Sequence, residues 1–264
     1  MTHQNIDGSA ITFEQDRHIH FEESTHTYTV DGIGMLTPVS TVISKFFSPF
    51  DATYWSLKKC NGDEVSAAKM REEWSAKGAI ASQSGTFLHK QIEIYLNEKK
   101  EADLDCAVTY DGEYVHLRKN INIATEWEYF KAFDKNTRYT PFRTEWCVYD
   151  CDAKMAGTID LLCSCADGTY EMYDWKRSNR IDPAEINTWA NGINGLEHLT
   201  DTAYSHYCLQ QNLYRYMLEK NYGLNISHMH LVVLHPELPG YRLIAVPRME
   251  HEINIIIEQL SNNN

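Results

Sequence analysis

Two apolar runs close together in this chain each carry charge near their centre. The first is Ala156-Gly157-Thr158-Ile159-Asp160-Leu161-Leu162, and the second is Tyr173-Asp174-Trp175-Lys176. Their composition, and the Ala166-Asp167-Gly168 turn signal between them, predict two neighbouring β-strands. Side chains alternate along a strand, so Asp174 and Lys176 share a face. If the strands pair, Asp160 reaches that face as well. Charge inside an apolar strand is costly unless something pairs with it. Any fold for this chain therefore has to bring two carboxylates and an ammonium together on a sheet, an arrangement suited to a metal-dependent phosphodiesterase.

The surrounding pattern supplies the frame. Thr25 to Gly32 is β-rich and ends in an Asp-Gly turn. Val39 to Phe47 has a helical pattern, Asp51 to Cys60 a second short helix stopped at Asn61-Gly62, and Val65 to Trp74 a third that Gly78 breaks or joins to the next. A stronger helix over Ser84 to Lys99 carries Leu88, Ile92, Tyr95 and Leu96 as its apolar stripe, with His89 and Glu93 stacked beside it. Glu101 to Tyr114 is polar and acidic and is expected to be a surface loop, with a helix following from Lys119 to Phe133. Phe142 to Tyr149, Met155 to Cys165 and Thr169 to Trp175 then form three strands in quick succession. Ile186 to Asp201 is expected to be a loop with a helical turn. A helix over Ala203 to Tyr222 is stopped by Gly223. Ser227 to His235 and Tyr241 to Val246 are strands, and Met249 to Leu260 is a terminal helix. No repeat, low-complexity tract or linker justifies a domain cut, so residues 1–264 are expected to form one domain, with a core over about 78–235, an N-terminal decoration over 1–77 and a C-terminal strand and helix over 241–261.

Bulk properties narrow the function classes. The 264 residues, 43% hydrophobic and 12% aromatic, can build a sizeable core. No apolar run approaches the ~20 residues needed to span a membrane, and the polar start, Met1 to Asp7, lacks the plan of a signal peptide; a cytoplasmic location is expected. The seven cysteines form no CxxC pair and are expected to be free thiols. A formal charge of −13 argues weakly against nucleic acid as a partner. It does not exclude it, since acids grouped around a divalent ion are compensated by the ion, and Lys176-Arg177-Ser178-Asn179-Arg180 is a local basic patch.

Four motifs in order resemble the PD-(D/E)XK nuclease superfamily, and most closely its RecB-like exonuclease branch. Gly85-Thr86-x-x-His89-x-x-x-Glu93 is similar to the family's upstream helix, Gly157-Thr158-Ile159-Asp160 to its first-acid strand, Asp174-Trp175-Lys176 to its acid-x-lysine strand, and Gln210-x-x-x-Tyr214 to the QxxxY motif of the following helix. They span residues 85 to 214, about half of the chain. Each alone is weak; the ordered set is fairly specific. His26-x-Tyr28-x-Val30-Asp31-Gly32 is also similar to bacterial and phage proteins of this kind, less diagnostically. The second acid is Asp174 where many members carry Glu, and the C-terminal cysteine cluster of the iron–sulfur members is absent, so no iron–sulfur cluster is expected.

The resemblance implies an α/β fold with an α-β-β-β-α-β core, a central mixed sheet and flanking helices. It implies one or two Mg²⁺ or Mn²⁺ ions held by Asp160, Asp174, the backbone carbonyl of Trp175 and His89, with imidazole favouring Mn²⁺. Lys176 would orient the attacking water or stabilise developing negative charge. Glu93 would hold a water on the metal or orient His89, and Glu145, on the first of the three strands, would reach the site by adjacency as a supporting acid. Gln210, Tyr214, Arg177 and Arg180 would contact the nucleic acid. Plainer readings stand beside these: His89 as a satisfied helix histidine, Glu93, Arg177 and Arg180 as solvated charges, Glu145 as a cross-strand surface acid, Gln210 and Tyr214 as ordinary amphipathic residues. The expected activity is exonucleolytic cleavage of DNA at a free or single-stranded end, in recombination, replication or repair in a bacterial or phage-infected cell. A structure-selective or restriction-type endonuclease, a non-catalytic nucleic-acid-binding subunit and an enzyme acting on a small phosphate ester are the alternatives. Neither a homo-oligomer nor a partner recombination protein is specified by the sequence.

Overall fold

The structure is a computed structural model that describes residues 5–187 and 189–262. Met1 to Gln4, and Thr188 within the expected 186–201 loop, lie outside the described residues. After a 3₁₀ turn at Glu14–Arg17 the chain forms β1 (Ile19–Glu22), β2 (Thr27–Val30) and β3 (Gly34–Pro38), then α1 (Val39–Ser44), α2 (Ala52–Lys59) and α3 (Glu64–Glu98). A hairpin of β4 (Asp105–Asp111) and β5 (His116–Asn122) leads into α4 (Ala124–Asn136). The central strands are β6 (Pro141–Asp150), β7 (Met155–Ser164) and β8 (Tyr170–Lys176), followed by α5 (Ala203–Asn221), β9 (Ile226–Val233), β10 (Arg242–Ala245) and α6 (Glu250–Asn262). The protein is α/β with a mixed central sheet flanked by helices, and the expected order of helix, three strands, helix and strand is present. Among the described residues no helix is long and apolar enough to cross a membrane.

Strand β7 is the hub. One edge pairs antiparallel with β6 along Met155–Cys163. Its other edge is shared: β3 runs parallel to it at Met155 and Ala156, and β8 antiparallel to it from Leu161 to Ser164. Residues 157–160 lie between these partners. Strand β8 leaves β7 after Tyr173 but stays paired with β9 as far as Lys176. The sheet therefore forks with Asp160 on one prong and Asp174, Trp175 and Lys176 on the other.

Period-two alternation along β8 decides what each prong faces. Tyr173 and Trp175 turn to α3 and α4, where Leu88, Ile92, Leu96, Trp127, Phe130 and Phe133 form one core. Trp175 meets Phe130 and Phe133 edge-on with ring centroids 5.5 Å apart in each case, and each such buried side chain contributes about 1.5–3 kcal/mol. Met172 packs into the opposite core with α1, α5 and α6, and that is the side on which Asp174 and Lys176 meet α5.

Of the two alternatives at Gly78 the structure has the second, in which the glycine joins the helices: α3 runs unbroken for 35 residues. A glycine in a helix interior costs about 1 kcal/mol relative to alanine, and burial of Leu88, Ile92 and Leu96 in one core with α4 and the sheet outweighs it. One sequence expectation fails here: the expected 101–114 loop and the start of the expected 119–133 helix are instead the β4–β5 hairpin, so the helix begins at Ala124. Alternating Cys106 and Val108 are buried, and the Glu72 carboxylate on α3 accepts the main-chain amides of Glu113, Tyr114 and Val115 at 2.7–2.8 Å. That tertiary anchor lies 41–43 residues away in sequence, beyond the reach of local pattern.

Candidate metal centre

The stripe Leu88-Ile92-Leu96 seats α3 on the sheet and thereby carries His89 to the fork. There Nε2 of His89 lies 2.8 Å from the Trp175 carbonyl oxygen. A carbonyl only accepts, so Nε2 donates and Nδ1 is the atom turned to the acids. Nδ1 stands 3.4 Å from Asp160 Oδ2 and 4.0 Å from Glu145 Oε1. The ligand atoms of His89, Glu145 and Asp160 all lie within 4.8 Å of one another. Asp160 Oδ2 also accepts the Trp175 amide at 2.8 Å, closing the open end of the fork with a side-chain bond where the β7–β8 ladder has stopped.

Glu145 reaches this group through an unusual backbone. Its φ is +45° in the middle of β6, a left-handed conformation that costs a non-glycine residue on the order of 1–3 kcal/mol. Thr144 and Trp146 on either side keep their pairing with β7, which holds the strained residue in place. The sequence suggested Glu145 only as a supporting acid; the geometry makes it a member of the cluster.

The second prong is an ion pair. Lys176 Nζ lies 2.6 Å from Asp174 Oδ2, and Gln211 Nε2 donates to Asp174 Oδ1 at 3.1 Å. Lys176 also donates to Gln210 Oε1 at 3.3 Å and sits 4.3 Å from the ring centroid of Tyr207. Gln210 Nε2 in turn donates to the Tyr214 hydroxyl at 3.1 Å. Tyr207, Gln210, Gln211 and Tyr214 form one face of α5 that fixes the ammonium. Tyr207 and Gln211 escaped the sequence reading, although Tyr207 lies three and seven positions before the QxxxY pair and Gln211 four after Tyr207, a usable signal.

Burial and charge shape the titration of these groups. Burial pushes Asp174 up to about 6 against the pull of Lys176. Burial and then the Asp160 charge push Glu145 up to about 8. Burial works to raise Asp160, but His89 and Lys176 hold it below the ordinary carboxylate range. Burial would lower His89, yet Asp160 and Glu145 carry it up to about 9. Lys176 stays above its ordinary value despite burial because Asp174 and Asp160 face it. The common cause is an excess of acid: three carboxylates against one ammonium and one imidazole.

The remaining predicted residues fall elsewhere. Glu93 is half-buried and accepts from Lys90 Nζ at 2.7 Å rather than from His89. Arg177 is not available to a phosphate: its guanidinium is committed to Glu126 at 2.7 Å, and that carboxylate is fully buried. Tyr214 is buried with its ring against Gly157, so it supports the site and does not present itself to a nucleic acid. Gln210 is half-buried and engaged with Lys176. Arg180 is exposed, so the basic patch read from the sequence reduces to this one accessible arginine.

The donor set fits a hard divalent ion. Asp160 and Glu145 offer oxygen, and His89 Nδ1 adds the nitrogen that Mn²⁺ accepts more readily than Mg²⁺; the Trp175 carbonyl, expected as a ligand, instead accepts from Nε2 on the far side of the ring and orients the imidazole. The acid excess is what a cation would relieve. No family model matches the chain, and no curated protein matches it. Among solved structures it is similar, at 11% identity and a TM-score of 0.34, to that reported as the crystal structure of SSO0001, over 86% of this chain and 73% of the other. A likeness that weak carries no functional argument.

Proposed function

We propose that this protein is a divalent-metal-dependent nuclease that hydrolyses DNA phosphodiester bonds on a PD-(D/E)XK-type core, acting as an exonuclease at a free or single-stranded end. The observation that carries the reading is the fork itself. It places an imidazole and two carboxylates on one side and a buried aspartate–lysine pair on the other, with Trp175 joining them through both its amide and its carbonyl.

In this reading His89 Nδ1, Asp160 and Glu145 would hold the ion, the Trp175 carbonyl orients the imidazole by accepting from Nε2, and Asp174 stands on the second prong paired with Lys176. Bound Mg²⁺ or Mn²⁺ supplies Lewis-acid polarisation of the phosphoryl oxygen and lowers the pKa of water. Lys176 is kept charged by Asp174 and kept in place by Gln210 and the Tyr207 ring, so its ammonium meets negative charge developing on the phosphoryl oxygens without reorganising. Tyr214 and Gln210 act on Lys176 as positioning groups. The Glu126–Arg177 pair pins the chain where it leaves β8, one residue after Lys176.

A time course with end-labelled single- and double-stranded DNA, linear and circular, with Mg²⁺ or Mn²⁺ and with EDTA, tests the reading. Metal-dependent loss of linear substrate with circles left intact is expected. Cleaved circles point to the endonuclease, and no cleavage of any DNA rejects the nuclease reading.

A further inference from the structure

The surface of α2 and the first half of α3 carries aromatic rings that the core does not use. Phe50 is 67% exposed, Tyr54 52% and Trp55 41%. Tyr54 and Trp55 meet edge-on with centroids 5.2 Å apart, and Phe50 meets Trp74 of α3 at 5.7 Å. Two exposed lysines stand over these rings: Lys58 Nζ is 4.9 Å from the Trp55 centroid and 5.5 Å from that of Tyr54, and Lys59 Nζ is 5.5 Å from that of Trp74. Two nearby acids are engaged in capping, Asp51 at the start of α2 and Asp63 at the start of α3.

We propose that this patch is a stacking platform for single-stranded nucleic acid, taking successive bases on its rings and their phosphates on Lys58 and Lys59. The inference rests on the nuclease reading only for the identity of the strand. Two arguments select this occupant. Single-strand binders combine aromatic faces with cations that follow the backbone, and the two are interleaved here in one chain that is otherwise strongly acidic. Protein-binding patches, by contrast, are depleted in lysine at their centre, where this one carries two.

The platform is also aligned with the metal centre. Trp74 and His89 lie on the same unbroken helix, 15 positions apart, which amounts to about 22 Å along the axis and about 60° around it. A strand laid across the rings and along α3 runs toward the fork, so the platform holds the strand several nucleotides away from the bond to be cut.

The test uses the full chain in EDTA with fluorescein-labelled oligo-dT and a matched duplex, followed by anisotropy across a salt series. Tyr54→Ala/Trp55→Ala and Lys58→Glu/Lys59→Glu are compared with wild type, since these four side chains are exposed and leave the core untouched; circular dichroism checks that the helices persist. The expected result is preference for the single strand and about tenfold or greater weakening in each double variant. In the lysine variant the salt slope should also fall in magnitude by about 1.4. Wild-type affinity in both variants overturns the platform, as does a wild-type chain that binds no oligonucleotide. A patch that instead drives self-association, seen by sedimentation, overturns it as well. Metal-dependent cleavage that persists while the variants bind normally removes the platform alone. Platform-dependent binding without any cleavage removes the nuclease reading alone.

Discussion

The ring of Tyr214 fills the space that a side chain at residue 157 would need: a Cβ built on Gly157 lies 2.5 Å from Tyr214 Cε1 and 2.9 Å from its hydroxyl. Gly157 sits where the β7 edge is free of β3 and β8, and α5 approaches the sheet there through a buried tyrosine. Gly157→Ala should therefore cost about 1–3 kcal/mol by overpacking, measured by denaturant unfolding. Because the ring also anchors Gln210, the same substitution should slow cleavage. Tyr214→Phe, which keeps the ring and loses the bond to Gln210, should cost only about 0.5–1.5 kcal/mol. Equal costs for the two variants would show that the close approach is not what matters.

Asp174→Asn keeps the shape of the side chain and its contact with Gln211 but removes the charge facing Lys176. It should abolish detectable cleavage while the unfolding transition stays cooperative. Lys176→Ala should lower kcat by about 10²–10³ with DNA binding in EDTA little changed. Asp174→Ala is the poorer probe, since besides removing the charge it deletes the acceptor of Gln211 and leaves a space in a buried site. Activity retained in Asp174→Asn would remove Asp174 from the site.

Much of this was legible in the sequence for a physical reason. Strands β6, β7 and β8 and helix α5 follow from apolar periodicity, and the Asp174-x-Lys176 spacing places both charges on one face whatever the register. The role of Glu145 was less legible, because it depends on a left-handed φ inside a strand, which no alternation pattern encodes. Arg177 was misread for the same kind of reason. Its partner Glu126 lies 51 residues away on α4 and inside the core, so a basic run in the sequence became a buried ion pair in the fold. The β4–β5 hairpin escaped because its turn is tied down by Glu72 on α3.

The Glu126–Arg177 pair makes a prediction of its own. Glu126 is fully buried and Arg177 is 11% exposed at its side chain. Glu126→Ala should lose about 3–5 kcal/mol, while Glu126→Leu/Arg177→Met should recover most of it, because the cost lies in the unpartnered charge and not in the missing attraction. If the double variant keeps its stability but cleaves more slowly, the pair serves to place Lys176. If its rate is unchanged, the pair is structural only.

Acid sensitivity should trace to Asp150 at the end of β6. Burial works to raise its pKa, but Lys220 at 2.7 Å, the Ala153 amide at 2.7 Å and Asn221 at 2.8 Å hold it below the ordinary carboxylate range. A folded pKa below the unfolded one means that the unfolded chain binds the proton first. The stabilisation is therefore complete above the unfolded value, about 3.9, and is lost as pH falls through the lower, folded one. Asp150→Asn should lower stability at pH 7 and flatten its fall between about pH 5 and 2, read from urea midpoints across that range. Parallel curves for variant and wild type would clear Asp150 of this role.

Glu145 offers two effects of opposite sign in one residue. Without an ion, its half-buried carboxylate lies beside Asp160 and is pushed up to about 8 by loss of solvent and by that charge. With an ion bound as proposed, the same oxygen would be one of the donors gathered with those of His89 and Asp160. Glu145→Gln should therefore raise the melting temperature in EDTA at pH 7, because folding no longer has to protonate an acid that is ionised in the unfolded chain, and the shape is kept. It should also shrink the increase in Tm produced by Mn²⁺, which for a site saturated to 100 times its Kd is worth about 2.7 kcal/mol. His89→Gln should reduce the Mn²⁺ effect and should not raise the EDTA Tm, since it removes the cation that offsets the acids. A Glu145→Gln protein that melts lower in EDTA and responds fully to Mn²⁺ would place Glu145 outside the metal set and leave its strained backbone unexplained.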